Sequence, residues 1–154
     1  MDRKIVIVTG STGNIGDAVM RRFGSRSEDT VGFDHHPPGA PAPNCTYIKV
    51  DVTNDKSVED GMRALQNRHG SEVASVVHLA AFYDFAGKPD PRYDSVTVEG
   101  TRRLLRGLND GRFKVEQFIF SSTMLVHKPA EPGEFIDEDW PLEPTWPYPE
   151  SKEK

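Results

Sequence analysis

Cysteine is nearly missing from this 154-residue chain: Cys45 stands alone. An internal disulfide is excluded, and a single thiol fits a reducing cytosol. The ordinary role of such a residue is to fill a small buried place in a strand. No run approaches the roughly 20 apolar residues that span a bilayer. Met1 to Lys4 lead into Ile5–Val8, which is strand length and not the apolar region of a secretory leader. These absences point to a cytoplasmic protein with no membrane partner. A basic excess is also missing: 24 acidic residues against 19 basic ones give a net charge of −5. That balance argues against nucleic acid as a partner, since phosphate-binding surfaces need a basic stripe. The hydrophobic share is only 36%, which predicts a thin core. The length suits one domain.

Apolar runs of strand length alternate with helical patterns along the chain. Ile5-Val6-Ile7-Val8 is β-branched throughout, as expected of a strand buried on both faces. Ile15, Ala18, Val19 and Phe23 then fall at helical spacing, with Gly24 as the stop. Thr30–Phe33 and Tyr47–Val50 read as further strands, separated by a proline-rich loop from Pro37 to Pro43. Val58, Gly61, Met62 and Leu65 mark a second helix, and Val73–Leu79 a fourth strand. Val98, Thr101, Leu105 and Leu108 form the stripe of a third helix, before Phe118-Ile119-Phe120 opens a fifth strand. This alternation predicts βαβ units and a parallel sheet. Six prolines between Pro129 and Pro149 make that segment an ordered loop.

Gly10, Gly13 and Gly16 lie between the first strand and the first helix. Glycines there permit a tight turn and let backbone N–H groups approach a pyrophosphate at the positive end of the helix. The spacing is G-x-x-G-x-x-G rather than G-x-G-x-x-G, and a tight turn without a ligand is the competing reading. Asp34 ends the second strand, where a carboxylate binds ribose hydroxyls and repels a 2′-phosphate, favouring NAD over NADP. Asp51 follows the third strand, where it would accept from an adenine amino group or cap a helix. His35 and His36 are adjacent, so they do not converge on one ion, and no metal is expected. Near the other end, Tyr148 and Lys152 are four residues apart and share a helix face. A tyrosine with a pKa near 10 needs such a cation to act as a base at neutral pH.

In order, Thr9 to Gly16, Asp34, Asp51-Val52, His78-Leu79-Ala80-Ala81, Val98-Glu99-Gly100-Thr101, Ser121-Ser122-Thr123 and Tyr148 with Lys152 resemble the extended short-chain dehydrogenase/reductases. This is the NAD-dependent epimerase/dehydratase group, and the resemblance covers essentially the whole chain. It implies a Rossmann-type α/β fold with a doubly wound parallel sheet, here of about five strands, over residues 1–154. The phosphate loop would hold NAD through Gly10, Thr12, Gly13, Asn14, Ile15 and Gly16. Asp34, Asp51 and Val52 would serve the adenosine half, while Ala80 and Ala81 line the groove. Tyr148 would be the general base, and Lys152 would supply the charge and bind the nicotinamide ribose. Thr123 would orient a hydroxyl or carbonyl substrate. Capping of the strand end is the competing role for Ser121, Ser122 and Thr123. Trp140 and Trp146 would shape a pocket or pack the proline-rich loop.

Departures from the pattern carry information too. Thr97 stands where the group often has asparagine, and His127 where many members have tyrosine. Met124 and Leu125 replace the Asp-Glu pair of sugar dehydratases, which argues against water elimination. The resemblance further implies that the chain is a fragment lacking a C-terminal substrate region. It would then carry an exposed sheet edge beside the fifth strand and a final helix too short to hold Tyr148 and Lys152 in register. Three functions are expected in competition. One is an NAD-dependent oxidoreductase or epimerase acting on a small hydroxyl/carbonyl substrate, such as a nucleotide sugar, with a homodimer in the full-length protein. Another is a non-catalytic NAD-binding module or sensor. The third is a non-enzymatic interaction domain with a vestigial nucleotide site.

Overall fold

The computed structural model describes residues 4–26, 29–84 and 86–154. Its sheet consists of β1 (Ile5–Thr9), β2 (Asp29–Asp34), β3 (Cys45–Lys49), β4 (Glu72–His78), β5 (Lys114–Val115) and β6 (Phe118–Phe120). All pairings are parallel, in the order β3-β2-β1-β4-β5, with β6 also on β4. β5 and β6 lie along the same edge of β4, joined through Glu116 and Gln117, whose backbones still bond to Val73 and Val76. Together they occupy the place of the expected fifth strand. The two-residue piece was invisible in the sequence because Lys114-Val115 carries no apolar pattern.

Among the described residues four α-helices accompany the sheet: α1 (Asn14–Phe23), α2 (Asp55–His69), α3 (Glu99–Asp110) and α4 (Pro147–Glu153). A π-helical turn, Tyr93–Val98, runs directly into α3, and a 3₁₀ turn spans Met124–Val126. On one face of the sheet Val6, Val8 and Val77 pack with Met20 of α1. On the other, Ile5, Ile7, Val31 and Val76 meet Val58, Met62 and Leu65 of α2 and Leu104 and Leu108 of α3. Every residue of β1 is buried, because alternate side chains enter two separate cores. The sheet is therefore doubly wound, as expected, and the residues fill two layers of core.

Three local expectations need correction. The buried face of α1 is Gly16 and Met20, whereas Ile15 is 65% exposed. In α3 the buried stripe is Gly100, Leu104 and Leu108, and Leu105 lies outward. The helix enters through a π turn, which rotates the face presented to the sheet. Lastly, α4 begins at Pro147, inside the segment read as loop. Proline is compatible with the first helical turn, where the N–H has no partner in any case.

Full burial of a leucine contributes about 1.5–3 kcal/mol, and deletion adds a cavity cost. Leu104→Ala is expected to lower the unfolding free energy by about 2–5 kcal/mol. Leu105→Ala, one position on, should cost less than about 1 kcal/mol. Urea unfolding checks both, and equal losses would contradict the observed orientation of α3.

Candidate functional site

Strand order reverses between β1, which continues to β2 and β3 on one side, and β4 on the other. The connections leaving β1 and β4 lead to helices on opposite faces of the sheet, α1 on one and α3 on the other, and an open α/β sheet places its ligand crevice at such a point. A cleft of about 800 Å³ lies there. Gly10, Thr12 and Gly13 form one wall, Asp34, Asp51 and Val52 the far end, and Ala80 and Ala81 the opposite wall. Asn14, Ile15 and Gly16 are not part of its lining. They form the first turn of α1 beyond the loop, with Asn14 and Ile15 exposed and Gly16 buried.

The glycines of the loop have different reasons to be glycine. Gly10 adopts φ +65°, and a Cβ on it would come within 3.0 Å of the Ala80 nitrogen. A Cβ on Gly16 would lie 2.1 Å from the Gly10 carbonyl oxygen, so this residue lets the helix start against the turn. Gly13 differs: its φ is −73°, and a Cβ would meet only the Gly10 oxygen, at 3.4 Å. The protein itself places no strict demand there, and Gly13 lines the cleft without a side chain. Gly13 caps α1 without a side-chain acceptor, so the first amides of the helix have no side-chain partner. These are the donors and the dipole that suit a pyrophosphate.

Asp34 accepts from the Thr12 N–H at 3.0 Å and the His36 N–H at 3.3 Å, and His35 Nδ1 lies 3.0 Å away. Burial alone would raise its pKa, but the Thr12 and His36 amides, the Thr12 hydroxyl and His35 together hold it below the usual carboxylate range. It is an anion at neutral pH with capacity left for hydroxyl donors. Asp51 accepts from the N–H and hydroxyl of Thr53, which lower its pKa. The cap of α2 is Asn54, accepting from the Ser57 N–H, so Asp51 is free of that duty. Arg92, Ser95 and Val96 also line the cleft. Arg92 is clamped to Asp90 through two bonds, at 2.8 and 3.0 Å, and lies 4.1 Å over the Phe82 ring. Its presence was not foreseen, because the π turn alone brings it to a cleft built from the first half of the chain.

The second cluster gathers on α4. Lys152 is buried and donates to the Ser121 carbonyl at 2.8 Å, with its ammonium 4.8 Å over Phe120 and 5.9 Å from the Tyr148 ring centre. Burial lowers its pKa to about 8. Tyr148 packs edge-on against Tyr83 at 4.7 Å and lies 5.7 Å from Trp146. Burial raises its pKa, with smaller contributions from Tyr83 and Tyr93. Despite its seven residues α4 is well placed: Pro149, Ser151 and Lys152 are buried, and the Ser151 hydroxyl donates to the Tyr148 carbonyl. Packing against the π turn and the 3₁₀ turn supplies what propensity does not, correcting the expectation of a loosely held pair.

Thr123 caps the 3₁₀ turn by accepting from the Leu125 N–H at 3.3 Å and keeps its own proton to donate. Ser121 contributes its backbone to β4 and Lys152, so its role is structural. Trp140 donates to the Lys128 carbonyl and His127 Nδ1 faces the Trp140 carbonyl, so both tie the proline-rich loop together. Trp146 instead belongs to the aromatic wall around Tyr148. No group of three metal-binding side chains occurs among the described residues. No described helix is long and apolar enough to cross a membrane. The sheet edge is exposed at Ile119 and Phe120, by 43% and 37%.

Comparison with known proteins agrees with this fold. Residues 6–153 match the sequence profile of the NAD dependent epimerase/dehydratase family. A UDP-glucose 4-epimerase of Lactobacillus helveticus is 29% identical over 96% of this chain and 43% of its own length. A 3-beta-hydroxysteroid dehydrogenase of Mycolicibacterium neoaurum is 28% identical over 79% of the chain and 32% of its own length. A short-chain dehydrogenase/reductase superfamily protein of Agrobacterium tumefaciens, solved with bound NAD, superimposes with a TM-score of 0.76 at 29% identity. That match covers 96% of this chain and 42% of the solved one. The chain thus spans about a third to under a half of the length of these relatives.

His78, at the end of β4, is fully buried between Thr9 and Thr101, and burial, with the nearby Lys152 charge, lowers its pKa from 6.5 to about 4. The unfolded chain binds a proton near pH 6.5 that the folded protein refuses until about pH 4. The neutral ring therefore contributes stability that is complete above pH 6.5 and is lost as the pH falls toward 4. This shift corresponds to about 3 kcal/mol. Thermal unfolding between pH 7 and 4 should show the decline, and His78→Gln should flatten it. An equally steep decline in the variant would contradict the assignment.

Proposed function

The chain belongs to the NAD-dependent epimerase/dehydratase family, and from that premise we propose that its cleft binds NAD and that Tyr148, Lys152 and Thr123 serve hydride chemistry on a small hydroxyl/carbonyl substrate. The observation that carries this reading is the convergence, in one cleft, of the loop after β1, the carboxylates after β2 and β3, and the alanines after β4. The pyrophosphate would lie on the unpartnered amides at the start of α1, with Gly13 leaving room for it. Asp34 would bind the adenosine ribose, and as an anion it disfavours a 2′-phosphate. NAD, when bound, supplies the hydride acceptor or donor.

The remaining steps belong to the chain. The Thr123 hydroxyl, with its proton still available, positions the substrate oxygen. Tyr148 takes the substrate hydroxyl proton on its phenol oxygen and returns it in the reverse direction. Because burial raises the phenol pKa, the phenolate depends on the neighbouring ammonium of Lys152. With its pKa near 8, Lys152 stays mostly protonated at neutral pH. The rings of Tyr83 and Trp146 pack against the Tyr148 ring and hold the phenol in place. Similarity to a UDP-glucose 4-epimerase makes nucleotide sugars the first substrates to assay, and similarity to a hydroxysteroid dehydrogenase makes cyclic alcohols the second.

One observation favours a second reading, a non-catalytic NAD-binding module. The phenol is held protonated here, and the lysine is turned toward the Ser121 carbonyl. Turnover separates the two readings. In the whole protein, Tyr148→Phe should reduce turnover of the substrate by about 10²–10⁴-fold; no turnover in the unmodified protein would favour the module, and an unchanged rate in the variant would overturn the role of Tyr148.

Calorimetry tests the cofactor itself. NAD should bind the chain, and Asp34→Ala should weaken it by at least about tenfold, the loss of one hydrogen bond or more to a charged acceptor. Absence of binding at millimolar NAD would overturn the proposal.

A further inference from the structure

The buried histidine has a hydrogen-bond arrangement with one consistent solution. Thr9 Oγ1 receives the Ala80 N–H at 3.1 Å and the Leu79 N–H at 3.1 Å, the latter shared with the Thr9 carbonyl. A threonine hydroxyl has two lone pairs and one proton. With both lone pairs engaged by amides, its proton points to His78 Nδ1, 2.6 Å away. Nδ1 is then an acceptor, so the proton of the neutral ring sits on Nε2, which donates to Thr101 Oγ1 at 2.8 Å. Thr101 in turn donates to the Thr97 carbonyl. Every member of this relay is satisfied, and the other tautomer would set two donors against each other at Thr9. Thr97, the departure from the family pattern, closes the same region by accepting the Phe82 N–H at 3.1 Å.

We infer that His78 is a positioning residue of the cofactor cleft: acting through the Thr9 hydroxyl, it fixes the backbone amides from which the Ala80–Ala81 wall runs. The wall has little latitude, since Gly10 passes the Ala80 nitrogen with no room for a Cβ. Rotation of the Thr9 hydroxyl would free the Ala80 amide and let the wall drift across the opening. The backbone of His78 serves the other cluster as well. Its carbonyl accepts the Ser121 N–H at 3.2 Å, and the Ser121 carbonyl accepts from Lys152. One residue thus connects the phosphate loop, the cleft wall and the lysine. The effect on NAD rests on the cofactor reading above, whereas the effect on the wall does not.

Nitrogen-15 NMR of the imidazole decides the tautomer in the unmodified chain: Nδ1 should be unprotonated and Nε2 protonated. Amide hydrogen exchange of Ala80, referenced to Val31 in the core, then reads the wall. His78→Gln, which offers Thr9 no ring acceptor, and Thr9→Val should each speed Ala80 exchange about tenfold and weaken NAD by a similar factor. Thr9→Ser, which keeps the hydroxyl, should restore both. Thr101→Val should lower Tm without changing the Ala80-to-Val31 exchange ratio, because it leaves the Thr9 half of the relay intact. A proton on Nδ1, or equal changes at Ala80 in Thr101→Val and His78→Gln, would overturn the inference. Failure of the unmodified chain to bind NAD would overturn the cofactor reading, and Ala80 exchange would still decide the role of His78.

Discussion

Everything at the site depends on how closely the turn after β1 passes the loop after β4. The two strands are neighbours, so their C-terminal loops leave the sheet side by side, and one must give way. Gly10 does so, with a left-handed φ and no side chain to strike the Ala80 nitrogen. Thr9 turns the contact into an attachment by accepting two amides of the neighbouring loop. Gly16 then brings the helix onto the turn, and the first amides of the helix have no side-chain partner. A cradle for an anion follows from these approaches without any basic side chain in the loop. An acidic chain is therefore compatible with a phosphate-bearing ligand.

The second cluster has a different physical basis. Tyr148 and Lys152 are both withdrawn from water, and burial disfavours the charged form of each. For the lysine this brings the pKa toward neutrality; for the phenol it opposes ionisation. In the proposed reaction the pair would work as a unit, with the phenolate tolerated only beside the ammonium. Its placement comes from tertiary packing. Buried Pro149, Ser151 and Lys152 hold a helix that would not persist alone.

The parts of the fold legible in the sequence were those with strong periodicity or strict backbone demands. Ile5–Val8 is apolar at every position, which only a strand covered on both faces tolerates, and the glycines after it mark the turn. Residues brought in by tertiary geometry were not legible. Arg92 reaches the cofactor cleft through a π turn that no apolar pattern announces, and Tyr83 meets Tyr148 across 65 positions of sequence. Leu105 read as core because its spacing fits a stripe, but the π turn rotates α3 so that Leu104 takes the place. Asp34 and Asp51 were readable as strand-end carboxylates, although the Thr12 amide held by Asp34 was not. The relay through His78 was half visible: the residue stood within a recognisable motif, yet its partners Thr9 and Thr101 lie in distant parts of the chain.

The central claim is that the cleft at the β1–β4 reversal is shaped for a dinucleotide. A crystal structure of this chain grown with NAD tests it most directly. The pyrophosphate should lie on the backbone amides between Gly13 and Gly16, and the adenosine ribose should be bound by Asp34. The nicotinamide end should run along Ala80 and Ala81 toward Lys152. A dinucleotide bound elsewhere, or a cleft that stays closed to it in crystals saturated with NAD, would contradict the account.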